Sequence, residues 1–164
     1  MAGWSVRGHT AHRRSEGKMN GFEVVTVIGC PAEEVFAVVH DVAKTPLWNP
    51  VVSEVRRTSE GLLGVGATMV YAGTFLGRSY EAPVACTGFA ENKQLATATT
   101  GGPFHLEVDQ TLEPADAGTK LTVHCRADSR GFFRFAEPLV IRLTRKQVET
   151  ACENLKALLE EHAL

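Results

Sequence analysis

Near the N-terminus the pattern of apolar and polar positions changes its period twice. Residues 22–28 alternate with a period of two, which predicts a first strand. A helical period follows and predicts a helix over residues 30–39, with Pro31 and acidic residues in its first turn. Asp41 is expected to cap a second short helix that stops between residues 46 and 50.

Six strand-like segments, separated by turn residues, fill the middle of the chain. The gaps between them are short, which predicts hairpins and an antiparallel sheet. Pro83 interrupts one segment, and because proline has no N–H for a ladder, a bulge or bend is expected there. The predicted strands cover residues 51–58, 67–76, 78–89, 95–100, 104–112 and 119–128.

The last part of the chain predicts one long helix over residues 138–162. Its apolar and small positions recur with a period of 3.6, and charged residues occupy the opposite face. The apolar positions are Ile141, Thr144, Val148, Ala151, Cys152, Leu155, Leu158 and Leu159.

Residues 24–50 read VVTVIGCPAEEVFAVVHDVAKTPLWNP, and residues 154–160 read NLKALLE. The order of strand, proline turn, helix with "VF", aspartate and "W-x-P", together with the "L-x-x-L-K" type of ending, resembles the START-like (SRPBCC) superfamily of polyketide cyclases and small lipid carriers. The resemblance extends over residues 22–162. It implies an α+β helix-grip fold, in which a seven-stranded antiparallel sheet wraps around a long C-terminal helix and two short helices follow strand one. Such a fold encloses an apolar pocket.

Length and composition agree with one domain of this kind. The chain has 164 residues and a formal net charge of −2, which gives no reason to expect a nucleic-acid partner. It lacks an apolar run of membrane-spanning length, and its four cysteines are scattered, as in a cytoplasmic protein with reduced thiols. Residues 1–20 are polar and aperiodic, so we expect a disordered, dispensable extension before a domain at 21–164, with Met19 an alternative start.

The polar residues of the strands at 104–112 and 119–128 pair when the two apolar faces are aligned. Placing Leu112 opposite Leu121 puts Glu107 opposite Arg126, Asp109 opposite His124 and His105 opposite Asp128. Histidines and carboxylates at this spacing are also found in metal sites. Complementary cross-strand pairs favour a solvated ladder of ion pairs, and no metal or cofactor is expected.

A cavity is expected between the long helix and the concave sheet face, with polar side chains at isolated positions in its apolar lining. Gln110 lies on the apolar face of its strand, and Thr144 lies on that of the helix, where it either faces the cavity or bonds the carbonyl four residues back. Phe132, Phe133 and Phe135 are expected in part at the mouth or at an association surface. The predicted ligand-binding residues are Trp48, Met69, Tyr71, Tyr80, Phe104, Leu106, Val108, Gln110, Thr144 and Val148.

These features predict a protein that binds a small hydrophobic or aromatic molecule, acting as a monomer or homodimer. The first alternative is a polyketide cyclase or aromatase that catalyses aldol cyclisation and dehydration in the cavity. The second is a partner-binding protein of the same fold. No inward-facing acid or base is predicted, because His40 is expected to be solvated at its helix end, and this favours binding over catalysis.

Overall fold

The computed structural model describes residues 20–102, 105–128 and 137–162, in which seven strands form one antiparallel sheet in the order β1-β7-β6-β5-β4-β3-β2. Five of its six neighbouring pairs join strands that are consecutive in the chain, and β1 closes against β7. The strands are β1 (Asn20–Ile28), β2 (Val52–Arg57), β3 (Thr68–Phe75), β4 (Arg78–Ala90), β5 (Gln94–Thr99), β6 (His105–Ala115) and β7 (Gly118–Asp128).

Two short helices follow β1, and one long helix follows β7. They are α1 (Ala32–His40), a 3-10 helix (Val42–Leu47) and α2 (Glu137–His162). The predicted order of elements and the helix-grip fold are therefore confirmed. Asp41 does precede the 3-10 helix, but its side chain makes no capping hydrogen bond and lies instead 3.4 Å from Lys44 Nζ.

The register of the β6–β7 hairpin is the predicted one. Leu112 lies opposite Leu121, and Glu107 lies opposite Arg126. Because side chains alternate between the two faces of a strand, this register puts the apolar positions of both strands on the inner face of the sheet and the charged positions on its outer face.

The bulge predicted at Pro83 lies elsewhere. Pro83 pairs regularly with Val70, whereas the β4–β5 register shifts between Cys86 and Gly88, so that Thr87 is the extra residue. The Pro83 carbonyl accepts a hydrogen bond from Thr100, just beyond the end of β5. The N–H that Pro83 lacks would point to the same side, toward residue 100, which lies beyond the end of β5. The β4–β5 ladder therefore loses no hydrogen bond at Pro83, and the proline needs no bulge.

The long helix α2 makes its main strand contact with β1, at the end of the sheet opposite β2. Two polar links fix its C-terminal half there: Gly29 N–H donates to Glu160 Oε1 (2.9 Å), and Lys156 Nζ donates to the Val27 carbonyl (2.6 Å). The shorter helix α1 packs against β6 and β7.

Candidate functional site

In the middle of the β6–β7 hairpin the two inner faces differ in burial, whereas Leu112 and Leu121, which pair nearer the turn, are both buried. Leu121, Val123 and Cys125 of β7 are 1%, 5% and 2% exposed. The inner residues Leu106 and Val108 of β6 remain partly exposed. Apolar side chains that face the interior yet keep solvent access indicate space above the middle of β6.

The two halves of α2 show the same contrast. In the C-terminal half, Ala151, Cys152, Leu155 and Leu159 are buried, whereas Ile141, Thr144 and Val148 in the N-terminal half are partly exposed. Both sets lie on the apolar stripe of α2, so the lower burial of the N-terminal set reflects a difference in what packs against that half of the helix. We define the candidate site as the inner face of the middle of β6 together with the N-terminal half of α2, two regions whose inward-facing residues remain partly exposed.

Gln110 is the polar residue of an otherwise apolar row across the inner face. The register aligns Phe89 of β4, Leu95 of β5, Gln110 and Val123 of β7. No hydrogen bond reaches the Gln110 carboxamide from any residue that the structure describes, and the side chain is only half-buried. Its polar atoms are not sealed, so accessible space reaches them.

His40, at the end of α1, faces the sheet rather than bulk solvent. It lies one helical turn after buried Phe36, and the two rings stack with centroids 5.4 Å apart at an interplanar angle of 17°. Phe89 contacts both rings, with its centroid 5.7 Å from Phe36 and 6.0 Å from His40. The expectation of a solvated His40 is therefore replaced by a half-buried ring in an aromatic cluster of Phe36, His40 and Phe89.

Thr144 satisfies its own hydroxyl, which was one of the two interpretations open from the sequence. Thr144 Oγ1 donates to the carbonyl of Val140, four residues back, at 2.8 Å. The hydroxyl keeps acceptor capacity toward the space beside it. One turn further along, Val148 packs against the hydrophobic core.

The predicted site residues of β3 and β4 form a separate group near the 3-10 helix. Burial raises the pKa of Tyr71 to about 12, while the Thr45 hydroxyl beside it acts in the opposite direction. Tyr80 donates its hydroxyl proton to the Val51 carbonyl at 2.9 Å. Met69 is 1% exposed and belongs to the core. Because β4 and β5 separate β3 from β6, Met69 and Tyr71 lie three strand spacings from β6 across the sheet, about 14 Å, and are further displaced from Gln110 along the strands.

Trp48 is more deeply buried than a residue at a pocket entrance. Its side chain is in the core, the residue is 9% exposed, and Asn154 on α2 donates to its backbone carbonyl at 3.1 Å. In the part of the chain that the structure describes, Trp48 Nε1 is the buried side-chain polar atom that lacks a partner. This atom is completely covered, unlike the Gln110 carboxamide.

The predicted site residues that the structure describes are thus not brought together as one group. Leu106, Val108 and Gln110 line up on the inner face of β6, and Thr144 and Val148 lie on the apolar stripe of α2. Phe104, like Phe132, Phe133 and Phe135, lies outside the described residues.

Sequence reasoning missed two residues and dismissed a third. Thr97 of β5 shares the inner face with Val108 and is half-buried. Phe89 turns inward because the bulge at Thr87 reverses the alternation of β4. The i,i+4 spacing of Phe36 and His40 on the apolar face of α1 was the available signal for His40.

The outer face carries the predicted ion-pair ladder, with partners that differ in part from the prediction. Arg126 pairs with Glu107, and His105 Nε2 lies 3.2 Å from the same carboxylate. Partial burial tends to raise the pKa of Glu107, but the hydrogen bonds from His105 and Arg126 outweigh it and hold this pKa below its ordinary value.

Asp109 and His124, which were predicted to pair with each other, pair instead with neighbours outside the hairpin, and the side chain of Asp128, the predicted partner of His105, lies outside what the structure describes. Asp109 accepts from Gln94 Nε2 at 3.0 Å, and His124 Nε2 lies 2.6 Å from Glu23 Oε2. A depression of about 490 Å³ lies among these side chains. Their polar groups are already paired, so we do not assign the ligand to this face. The described residues contain no group of three or more His, Cys, Asp or Glu side chains placed to hold a metal ion.

Comparison with protein families gives a match over residues 19–160 to the family described as polyketide cyclase / dehydrase and lipid transport. The chain belongs to this family. A search of curated proteins finds no match. No helix in the described part of the chain is long and apolar enough to cross a membrane.

Solved structures of the same fold accompany this match. The Zhui aromatase/cyclase from Streptomyces sp. R1128 superposes with a TM-score of 0.78 at 14% identity, covering 89% of this chain and 96% of that one. A START superfamily protein from Mycobacterium smegmatis gives 0.73 at 21% identity, covering 88% and 99%. A protein from Thermus thermophilus gives 0.76 at 14% identity, covering 88% and 100%. At these identities the similarity shows the helix-grip fold.

Proposed function

We propose that the protein binds a small hydrophobic or aromatic molecule in the candidate site, between the inner face of β6 and the N-terminal half of α2. The observation that carries this proposal is the partial exposure of Leu106 and Val108 beside the closely covered inner face of β7. Exposed apolar surface inside a domain is unfavourable at about 25 cal/mol per Å², and a bound apolar molecule removes that cost.

The four cysteines are free and buried, which supports a reducing, cytoplasmic location. Within that setting the protein acts as a monomer or homodimer that needs no cofactor for binding.

The test of binding is mass spectrometry of the intact protein, purified from its own organism under native conditions. An aromatic or acyl compound that stays bound, and that is released when the protein unfolds, supports the proposal. A matched variant, Val108→Trp, fills the space with an indole ring and should remove the bound compound. If the natural protein carries nothing and binds no naphthalene-sized probe, the proposal is wrong.

A polyketide cyclase or aromatase is the second candidate, and His40 is the observation that favours it. Its half-buried imidazole lies in an aromatic cluster and makes no hydrogen bond to any described residue. Such a base can take a proton from the carbon between two carbonyls. The resulting enolate attacks a second ketone of the same chain, the alkoxide recovers the proton, and loss of water completes the ring.

Product analysis with a poly-β-keto substrate decides between the two candidates. For a cyclase, His40→Phe should reduce turnover by a factor of about 100 or more while binding changes little, because a positioned base contributes roughly 100- to 10,000-fold. Tight binding of the substrate without any protein-dependent product would contradict the cyclase and support the binder.

A further inference from the structure

The two end strands of the sheet differ in the charges that they carry. The strand β2 has the sequence VSEVRR, in which three of the six residues are charged. The strand at the other end, β1, has the sequence FEVVTVI at residues 22–28, where Glu23 is the single charged residue and β-branched residues dominate. A β-branched end strand with little charge is a template on which another strand can pair, and proteins normally block such edges with charged side chains.

Two hydrogen bonds from α2 show which backbone groups of β1 lie at its free edge. Lys156 Nζ donates to the Val27 carbonyl at 2.6 Å, and an Arg145 guanidinium nitrogen donates to the Glu23 carbonyl at 3.5 Å. Successive residues of an antiparallel strand turn their N–H and C=O groups to opposite sides. The odd-numbered residues of β1 therefore point these groups away from β7, and Val25 is one of them.

The centre of this edge is open and carries no charge of its own. Val25 is 51% exposed and Val27 is 40% exposed. Among the described residues, no hydrogen bond from outside the β1–β7 ladder reaches the backbone of Val25. The one charged side chain of the segment, Glu23, is already paired with His124 at 2.6 Å.

The edge is complementary to itself. A second copy of β1, related by a two-fold axis at Val25, would pair Val25 with its own counterpart and Glu23 with Val27 of the second copy. Each pair joins residues whose backbone groups point outward, as regular antiparallel bonding requires. The exposed valines of the two copies would lie side by side on one face, where β-branched cross-strand pairs are favourable. A second copy of this chain is therefore the partner that the edge fits.

We propose that Lys156 and Arg145 keep β1 from pairing with a second copy of the chain. The carbonyl oxygens that they bond, those of Val27 and Glu23, are two of the three that each copy would use at Glu23, Val25 and Val27. The pairing would also bring Arg145 of one copy close to Lys156 of the other, and like charges repel. Each cation is further held by a glutamate four residues along α2, which keeps it at the edge.

The test measures self-association of the full chain by sedimentation velocity over a wide range of concentrations. In the double variant Arg145→Met/Lys156→Met the side chains stay long but cannot donate a hydrogen bond. Self-association should become at least about 10-fold tighter than in the natural protein, because two chains no longer give up four such bonds on pairing. Adding Val25→Lys, which puts a charge at the centre of the pairing, should restore the behaviour of the natural protein.

Arg142→Met/Lys146→Met is the matched control, since both residues are exposed on α2 and neither side chain bonds β1 among the described contacts. It removes the same charge, adds the same two methionines and should sediment like the natural protein. Far-UV circular dichroism recognises a misfolded double variant, and the single Lys156→Met variant then takes its place in the same comparison.

Three results would overturn the proposal. The first is a double variant that associates no more tightly than the natural protein or than the control. The second is association of the double variant that survives Val25→Lys. The third is association of the natural protein that Val25→Lys weakens, because β1 would then pair in spite of both cations.

Discussion

The strands β6 and β7 share a hairpin, a register and an alternating pattern, yet in the middle of the hairpin Val123 and Cys125 of β7 are covered while their partners Gln110 and Val108 of β6 are partly exposed. On the outer face the two strands are equivalent, because charged side chains of each take part in one ladder of ion pairs. Above them, α2 follows β1, next to β7, and α1 packs against both β6 and β7. A strand pattern therefore identifies the inner face, and the position of the helices decides whether that face becomes core or binding surface.

The largest expected effect is on the free energy of unfolding, and it should be greater for β7 than for β6. Leu121→Ala removes a side chain that is 1% exposed and should lower the free energy of unfolding by about 2–5 kcal/mol. Leu106→Ala removes a partly exposed side chain of the same type and should cost less than half as much. Urea unfolding of both variants measures the difference. Equal losses would show that the inner face of β6 is as closely packed as that of β7.

Enlarging a side chain should weaken ligand binding more on β6 than on β7, whereas truncation should lower stability more on β7 than on β6. Val108→Phe adds volume toward the candidate site and should weaken binding of 2-methylnaphthalene at least about 10-fold, with little loss of stability. Val123→Phe adds the same volume to the covered face of β7, where overpacking costs about 1–3 kcal/mol. Calorimetric titration and thermal unfolding of the pair test this. A Val108→Phe variant that binds normally would place the ligand elsewhere.

Thiol chemistry reports how closely the β7 side is covered. Burial raises the pKa of Cys125 to about 12 and that of Cys152 to about 11. At pH 8 these pKa values lower the thiolate fraction about a thousandfold for Cys125 and about a hundredfold for Cys152, and the thiolate is the reactive form. We expect neither thiol to react with an aromatic disulfide reagent in the folded protein, and both to react in urea. Rapid reaction in the folded state would mean that α2 opens readily from β1.

The smallest effect belongs to the outer face, where the two strands are alike. Glu107→Gln should cost under about 1 kcal/mol, because solvent-exposed ion pairs contribute little. The folded-state pKa of Glu107 lies below its ordinary 4.5, so its pairing stabilises the fold above that pH and the contribution is lost as the pH falls through the folded-state pKa. Urea unfolding at pH 7 and pH 3 should show a smaller acid-induced loss for the variant. A loss of several kcal/mol at pH 7 would contradict the assignment of this face to solvent.

Strand alternation and helical periodicity in the sequence determined the order of elements, the β6–β7 register and the face on which Gln110 lies, because these depend on local spacing. The position of the bulge could not be predicted from the sequence. Pro83 lacks a backbone donor and so suggested a bulge, but the β4–β5 register leaves Thr87 without a partner instead.

Only the tertiary structure decided which inner-facing residues border open space. Leu106 and Leu121 both occupy inward-facing positions of alternating strands, yet Leu121 is 1% exposed and Leu106 is partly exposed. The same holds for polar groups. The Tyr80 hydroxyl donates to the Val51 carbonyl, and Trp48 Nε1 is buried without a partner among the described residues. The His40 ring, in contrast, contacts the Phe89 ring. Burial and hydrogen bonding at these positions are set by residues distant in the chain, and a one-dimensional pattern does not contain those contacts.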